Sequence, residues 1–270
     1  MLFSGKENLA EQIVLLLTAR TNTSAEALLK FVNKNKIYTL QAVYKELRKL
    51  QAGGIVVKIG KGYSLRLSWL LQVSNAADQS INLYTQPDIL KFEPGYKKQT
   101  WQFNSLLKAN NFWAQVLILL MKDSREKVLY SYAPHAWYHL AQTQAEDQYL
   151  KSIKGSKGKI YFILTNNTFL DKWVEQFYDR SVMEFGYTKK PLFTNEEIEL
   201  DVIDDYIITS KKDAVVTKNI ADLYNKATKE NFNIGRVVDI FTNQAKVKVT
   251  LERNPKKAAL YKKKFKQFFG

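Results

Sequence analysis

The sequence predicts a mixed fold, α+β or α/β, in two parts: three short helices closed by a β-hairpin, then a larger α/β domain. Three observations predict it. Apolar residues recur at helical spacing in three successive segments before Gly53-Gly54. A run of β-formers around a glycine turn, IVVKIGKGYSLRL, follows at 55–67. Beyond residue 104, strand-like and helix-like stretches alternate, the pattern of a sheet covered by helices.

The first helix is expected over about 6–19. Ser4-Gly5-Lys6-Glu7 has the spacing of a capping box, and Leu9, Ile13, Leu16 and Leu17 follow at helical spacing. Thr21-Asn22-Thr23-Ser24 breaks that helix and offers N-caps for a second one at 25–33. Lys34-Asn35-Lys36-Ile37-Tyr38 reads as a turn. Thr39 caps a third helix at 40–52, with Val43, Leu47 and Leu50 on its apolar stripe and Gly53-Gly54 as its stop. In the hairpin, Ile55, Val56, Val57 and Ile59 form one strand, Gly60-Lys61-Gly62 the turn, and 63–67 the return strand.

A helix from Ser68 to about Gln79 links the parts, and 81–103 is mixed, with turns at Pro87 and Pro94-Gly95. An apolar helix lies within 104–121. Strands are expected at 128–132, 159–165, 214–217 and 246–251, with a hairpin of 199–203 and 206–209 around Asp204-Asp205. Helices are expected at 137–152, 169–178, 220–229 and 255–269. The organisation is thus 1–68, a connecting region at 69–103, and an α/β domain at 104–270.

The formal charge of the 270 residues is +15. That balance points to a polyanionic partner, nucleic acid or an acidic membrane, with nucleic acid favoured over a merely lysine-rich surface. Through Ser68 the chain carries eleven Lys/Arg against four Asp/Glu. With no cysteine, disulfides, thiolate metal sites and cysteine nucleophiles are excluded. No apolar run reaches the ~18 residues of a membrane span, and the start lacks a signal-peptide pattern, so a cytoplasmic protein without membrane contact is expected.

Three helices and a glycine-turned hairpin are the parts of a winged helix-turn-helix, whose third helix enters the major groove of double-stranded DNA. The outward face of the third helix offers Gln41, Tyr44, Lys45, Arg48 and Lys49; Gln suits adenine, and Arg or Lys suits guanine. Thr39 stands at the helix start, where a phosphate fits. Lys58, Lys61 and Tyr63 are expected to contact DNA from the hairpin. The segment TLQAVYKELRKLQAGGIVVKIGKGYSL resembles the recognition helix and wing of prokaryotic winged-helix transcription regulators, through the run V-Y-x-x-L-x-x-L-x-x-x-G at 43–54.

ELDVIDDYIITSKKDAVVTKNIADLYNKATKE, followed by NPKKAALYKKKFKQFF, resembles the phospholipase D-like effector domain of TrmB-type regulators. That resemblance implies a nucleophilic His in a His-x-Lys pair for catalytic members. His135 is followed by Ala136-Trp137 and His139 by Leu140-Ala141, so the motif is absent and no catalytic residue is expected. The reading is therefore a DNA-binding transcription regulator rather than an enzyme, without cofactor or metal, whose second domain senses an effector of unknown chemistry or forms a homodimer.

His135 and His139 are four apart but lack the Glu of a zinc helix, and structural histidines suit them better. Gly155-Ser156-Lys157-Gly158-Lys159 has the wrong spacing for a P-loop and precedes a strand. Glu196, Glu197, Glu199, Asp201, Asp204 and Asp205 could hold Mg²⁺ in a nucleic-acid-processing enzyme, or form a solvated loop and strand edge. A protein-binding adaptor is the other alternative. The terminal helix interleaves Lys256, Lys257, Lys262, Lys263, Lys264 and Lys266 with aromatics that pack inward.

Overall fold

Helix α1, Leu9–Ala19, starts where the Asn8 side chain accepts from the Glu11 amide at 2.9 Å. The fold comes from a computed structural model that describes residues 8–33, 37–83, 90–92, 97–193 and 198–270. The expected capping box at Ser4 to Glu7 lies outside those residues, as do Lys34-Asn35-Lys36, Pro87 and Pro94-Gly95. The chain divides into two compact units, Met1–Tyr84 and Thr85–Gly270.

In the first unit α1 is followed by α2, Ala25–Val32, capped by Ser24, and α3, Leu40–Ala52, capped by Thr39. Strands β1, Val56–Ile59, and β2, Gly62–Leu65, pair antiparallel around the two-residue loop Gly60-Lys61. Gly60 has φ +59, a conformation that glycine adopts without penalty. Thr23 bridges to Tyr63 and so ties the segment before α2 to the hairpin. Ile13, Val14, Leu17, Leu28, Val43, Leu47 and Val56 form the core of this unit. Helix α4, Leu67–Leu83, follows and exposes Leu67, Leu70, Leu71 and Val73.

Among the described residues the second unit holds a seven-stranded sheet in the order β3-β9-β8-β7-β4-β5-β6. Its strands are β3 (Lys98–Ser105), β4 (Val128–Ala133), β5 (Lys159–Leu164), β6 (Met183–Tyr187), β7 (Glu199–Ile203), β8 (Tyr206–Lys212) and β9 (Gln244–Arg253). The pairs β4–β5 and β5–β6 are parallel; the other pairings are antiparallel. Helices α5 (Leu106–Asp123), α6 (Tyr138–Ala141), α7 (Thr143–Gly155), α8 (Phe169–Glu175), α9 (Ala214–Lys226) and α10 (Ile234–Thr242) intervene. The main core includes Leu117, Leu129, Ile160, Phe162, Ile220, Phe241 and Val249. On the other face Tyr130, Tyr132, Ile163, Leu200, Val202 and Ile207 meet Ala258 and Phe265 of α11, Pro255–Phe269. Successive residues of a strand point to opposite faces, which separates these two cores.

Several expectations change. Residues 98–103, placed in the connecting region, belong to β3 at the edge of the sheet. The β-branched run at 214–217, expected as a strand, opens α9 instead, because Asp213 accepts from the Val216 amide at 2.9 Å and starts a helix there. Strand β6 and helix α10 were not anticipated. Among the described residues no helix is long and apolar enough to cross a membrane.

Candidate nucleic-acid interface

Burial divides α3 into two faces. Val43, Leu47 and Leu50 are buried, whereas Gln41, Tyr44, Lys45, Arg48 and Lys49 are exposed. Gln41, Tyr44, Lys45 and Arg48 stand at i, i+3, i+4 and i+7, so they form one stripe along the helix. Thr39 is exposed, and its hydroxyl oxygen accepts from the Ala42 amide at 3.2 Å. The hydroxyl hydrogen remains able to donate beside the positive end of the helix dipole.

The carboxylates around this face are engaged. Glu46 pairs with Lys49 at 2.7 Å, and Glu26 accepts from the Tyr44 hydroxyl at 3.1 Å. The Glu26 backbone amide, Ser24 and Tyr44 hold the Glu26 carboxyl below its usual range. The same Glu26 contact pushes the Tyr44 phenol up, which keeps it a neutral donor. Among the described residues neither Lys45 nor Arg48 has a carboxylate within salt-bridge distance, so both charges face solvent uncompensated.

Lys58 and Lys61 are exposed on the hairpin, and the Lys58 ammonium lies 5.9 Å from the centre of the Tyr63 ring. Tyr63, expected to contact DNA from the hairpin, is not exposed as the two lysines are. It is buried at 5% exposure and packs into the first unit's core. All of β2 is buried; Thr23 bridges to Tyr63 and the Asn22 amide donates to Ser64 Oγ, pairings that local alternation could not reveal.

The second unit has a different polar centre. A cleft of about 460 Å³ opens where β4 and β5 end, lined by His135, Asn166, Lys189, Glu199, Lys212 and Lys218 among others. Lys212 and Glu199 are ion-paired at 2.5 Å, and the Trp137 indole N–H donates to the same Glu199 oxygen at 2.5 Å. His135 Nδ1 lies 3.1 Å from Asp171 Oδ2 and stacks its ring on Tyr224. The Asp171 carboxylate also accepts from the Ala136 and Thr168 amides and the Thr168 hydroxyl. These partners span several elements, and nothing in the local sequence announces them.

The acidic cluster does not assemble into one site. Glu196 and Glu197 lie outside the described residues. Glu199 and Asp201, expected in a solvated edge, are buried in β7 between β8 and β4. Burial pushes the Asp201 carboxyl up to about 7, against its bond with the Ser131 hydroxyl. Asp204 accepts from Ser124 Oγ and the Arg125 amide, clipping the loop before β4. Among the described residues no three His, Asp or Glu side chains gather as metal ligands. His135 precedes α6, so it does not share a helix face with His139, which stacks on Phe177. On α11, Lys257 and Lys262 pair with Glu252 and Glu126, and Lys264 donates to the Leu192 carbonyl; Lys256, Lys263 and Lys266 are exposed.

No family model matches the chain, and no curated protein matches it. Among solved structures it is similar to TrmBL2, an archaeal chromatin protein described as showing a novel mode of DNA binding. The two share 13% identity over 99% of this chain and 94% of that one, with a TM-score of 0.38. NucT from Helicobacter pylori is 11% identical over 64% of this chain and 96% of its own, at a TM-score of 0.37. Nuc from Salmonella typhimurium, a phospholipase D family member, is 13% identical over 64% and 94%, at a TM-score of 0.36.

Proposed function

We propose that the chain is a DNA-binding regulator whose first unit works as a winged helix. Helix α3 lies in the major groove, with Gln41, Lys45 and Arg48 at base edges and Thr39 at a phosphate. Lys58 and Lys61 of the hairpin reach the flanking backbone. The observation that carries this reading is the stripe on α3. It projects polar and basic side chains away from a core that fixes the helix, and Lys45 and Arg48 lack counter-ions among the described residues.

A homodimer is part of the proposal. Helix α4 exposes Leu67, Leu70 and Leu71 at i, i+3 and i+4, with Leu67 at 69% exposure. A second copy of the same helix would cover that row, and two winged helices on a palindrome gain affinity together. Sedimentation that shows monomer alone, with and without DNA, removes this part.

The test of DNA binding is a fluorescence-anisotropy titration with random duplex at two salt concentrations, comparing the wild type with Lys45→Ala/Arg48→Ala. The expected result is salt-sensitive binding that the double change weakens. Binding indifferent to the double change overturns the assignment to α3. No binding at all overturns the function and favours a protein-binding role for the same unit.

A further inference from the structure

On β3 and β9 one face is solvent-exposed over most of its length. The side chains of Lys98, Thr100, Gln102 and Asn104 on β3, and of Gln244, Lys246 and Lys248 on β9, are exposed along it. Gln102 is paired with Lys248, and Lys248 with Lys211 of β8. An open groove runs along Gln102, Asn104, Lys246 and Lys248. The second core places α11 on this side of the sheet over β4, β7 and Ile207, which leaves the Lys211–Lys248 end uncovered.

Three features of this face need an explanation. Lysine is depleted in strands, and like charges directly across an antiparallel pair are destabilising. Lysines that guard a sheet against aggregation sit on edge strands, but here β3 is the edge, and Lys211 and Lys248 lie on the interior strands β8 and β9. Among the described residues Lys211, Lys246 and Lys248 have no salt-bridge partner. Of the nearby carboxylates, Asp213 lies within electrostatic reach of Lys246, and both it and Glu252 are also engaged by other donors. Asp213 accepts from the backbone amides of Val216 and Lys246, and Glu252 accepts from Lys257 and Asn254.

We propose that this lysine face of the sheet is a second nucleic-acid surface, one that holds the phosphodiester backbone of duplex DNA. The inference rests on the reading of the chain as a DNA-binding protein, yet it assigns contacts to the other unit. An incoming polyanion relieves the repulsion between Lys211 and Lys248 and supplies the missing counter-charge. Lys246 and Lys248 lie about 6.7 Å apart along one strand face, so they present a row of charge rather than a point. Among the described residues of β3 and β9 this face carries no ring on which a base could stack. Trp101 and Phe103 point to the opposite side and pack on Phe112 of α5. Single-strand binders depend on such rings, so the contact is with backbone and is indifferent to sequence.

The experiment titrates the full chain with random duplex by anisotropy over a salt series. Lys211→Gln/Lys246→Gln/Lys248→Gln is compared with Lys154→Gln/Lys218→Gln/Lys226→Gln, which removes equal charge from lysines that pair with Asp179 and Asp222. The strand triple is expected to lower the slope of log K against log salt by up to about 3, since each phosphate contact contributes roughly 0.9. The control triple is expected to leave the slope nearly unchanged. Thermal melts should show Lys248→Gln as stable as the wild type or more so, because the like-charge pair is gone.

Equal effects of the two triples, or none from the strand triple, overturn the proposal. Loss of binding to phosphatidylserine vesicles with DNA binding intact overturns it in favour of a lipid surface. The α3 reading fails separately, when Lys45→Ala/Arg48→Ala changes nothing while the strand triple still does.

Discussion

Lys212 and Glu199 face each other at 2.5 Å with their side chains only 4% and 3% exposed, so each is the other's principal neutralising group. Removing one member leaves a buried charge without its counter-charge, which costs several kcal/mol; replacing both by apolar groups can be neutral or better. Glu199→Ala is therefore expected to destabilise the protein by about 3–5 kcal/mol, whereas Lys212→Met/Glu199→Leu should recover most of that loss. Urea unfolding of the wild type, single and double variants checks this. A double variant as unstable as the single would show that the cleft needs the pair for packing and not for charge balance.

Stability should fall as pH rises through neutrality. Burial pushes the carboxyls of Glu146 and Asp201 up to about 7 each. Glu146 still accepts from the Tyr178 hydroxyl at 3.0 Å, but that bond does not offset the loss of solvation. The unfolded groups titrate near ~4, so between those values the native state holds more protons than the unfolded state. Their contribution is complete below about pH 4 and is lost as pH passes about 7, with a slope of up to ~1.4 kcal/mol per pH unit for each group. Urea midpoints at about pH 6 and about pH 8 should differ in that direction, and Glu146→Gln/Asp201→Asn should flatten the difference. A midpoint that rises with pH would contradict the burial of both groups in protonated form.

The first unit was legible because its signals are local. Thr39, the stripe of Val43, Leu47 and Leu50, and Gly53-Gly54 specify α3 without reference to anything distant. The apolar run of β5 and the Asp204-Asp205 turn between β7 and β8 are equally self-contained. Strand β3 was missed although its alternation is plain, because Lys98, Thr100, Gln102 and Asn104 read as a connecting stretch when the strand paired with it, β9, is far along the chain. Asp213 decided α9 against the β preference of Val215, Val216 and Thr217: one cap outweighed three propensities. The cleft could not be read at all, since His135–Asp171 and Lys212–Glu199 meet only through the sheet order.

Gly62 should tolerate alanine less well than Gly60, although Gly60 alone of the two has positive φ. A Cβ at Gly62 would come within 2.1 Å of the Asn22 side-chain oxygen and 2.6 Å of the Asn22 carbonyl carbon; at Gly60 it would meet nothing within 4 Å. Gly60→Ala thus carries only the left-handed backbone cost of ~1–2 kcal/mol. Gly62→Ala must move the segment that bridges to the hairpin, a strain at or above the upper end of the ~1–3 kcal/mol typical of overpacking. Thermal melts of the two variants give the order directly, and equal losses would mean that Asn22 yields easily.

The burial of Tyr63 separates two kinds of hairpin residue. Its ring lies in the first unit's core, and Lys58 and Lys61 are left as the exposed hairpin cations among the residues expected to contact DNA. Tyr63→Phe keeps the ring and should leave both DNA affinity and salt slope unchanged. Lys61→Ala should lower the slope by roughly 0.9, the value for one phosphate contact, without altering preference among sequences. Arg48→Ala should instead cost ~1–3 kcal/mol on a preferred site and less on random duplex, as loss of a base contact does. If Tyr63→Phe weakened binding at an unchanged melting temperature, the hydroxyl would have to reach the DNA, and the hairpin would have to present β2 rather than its lysines.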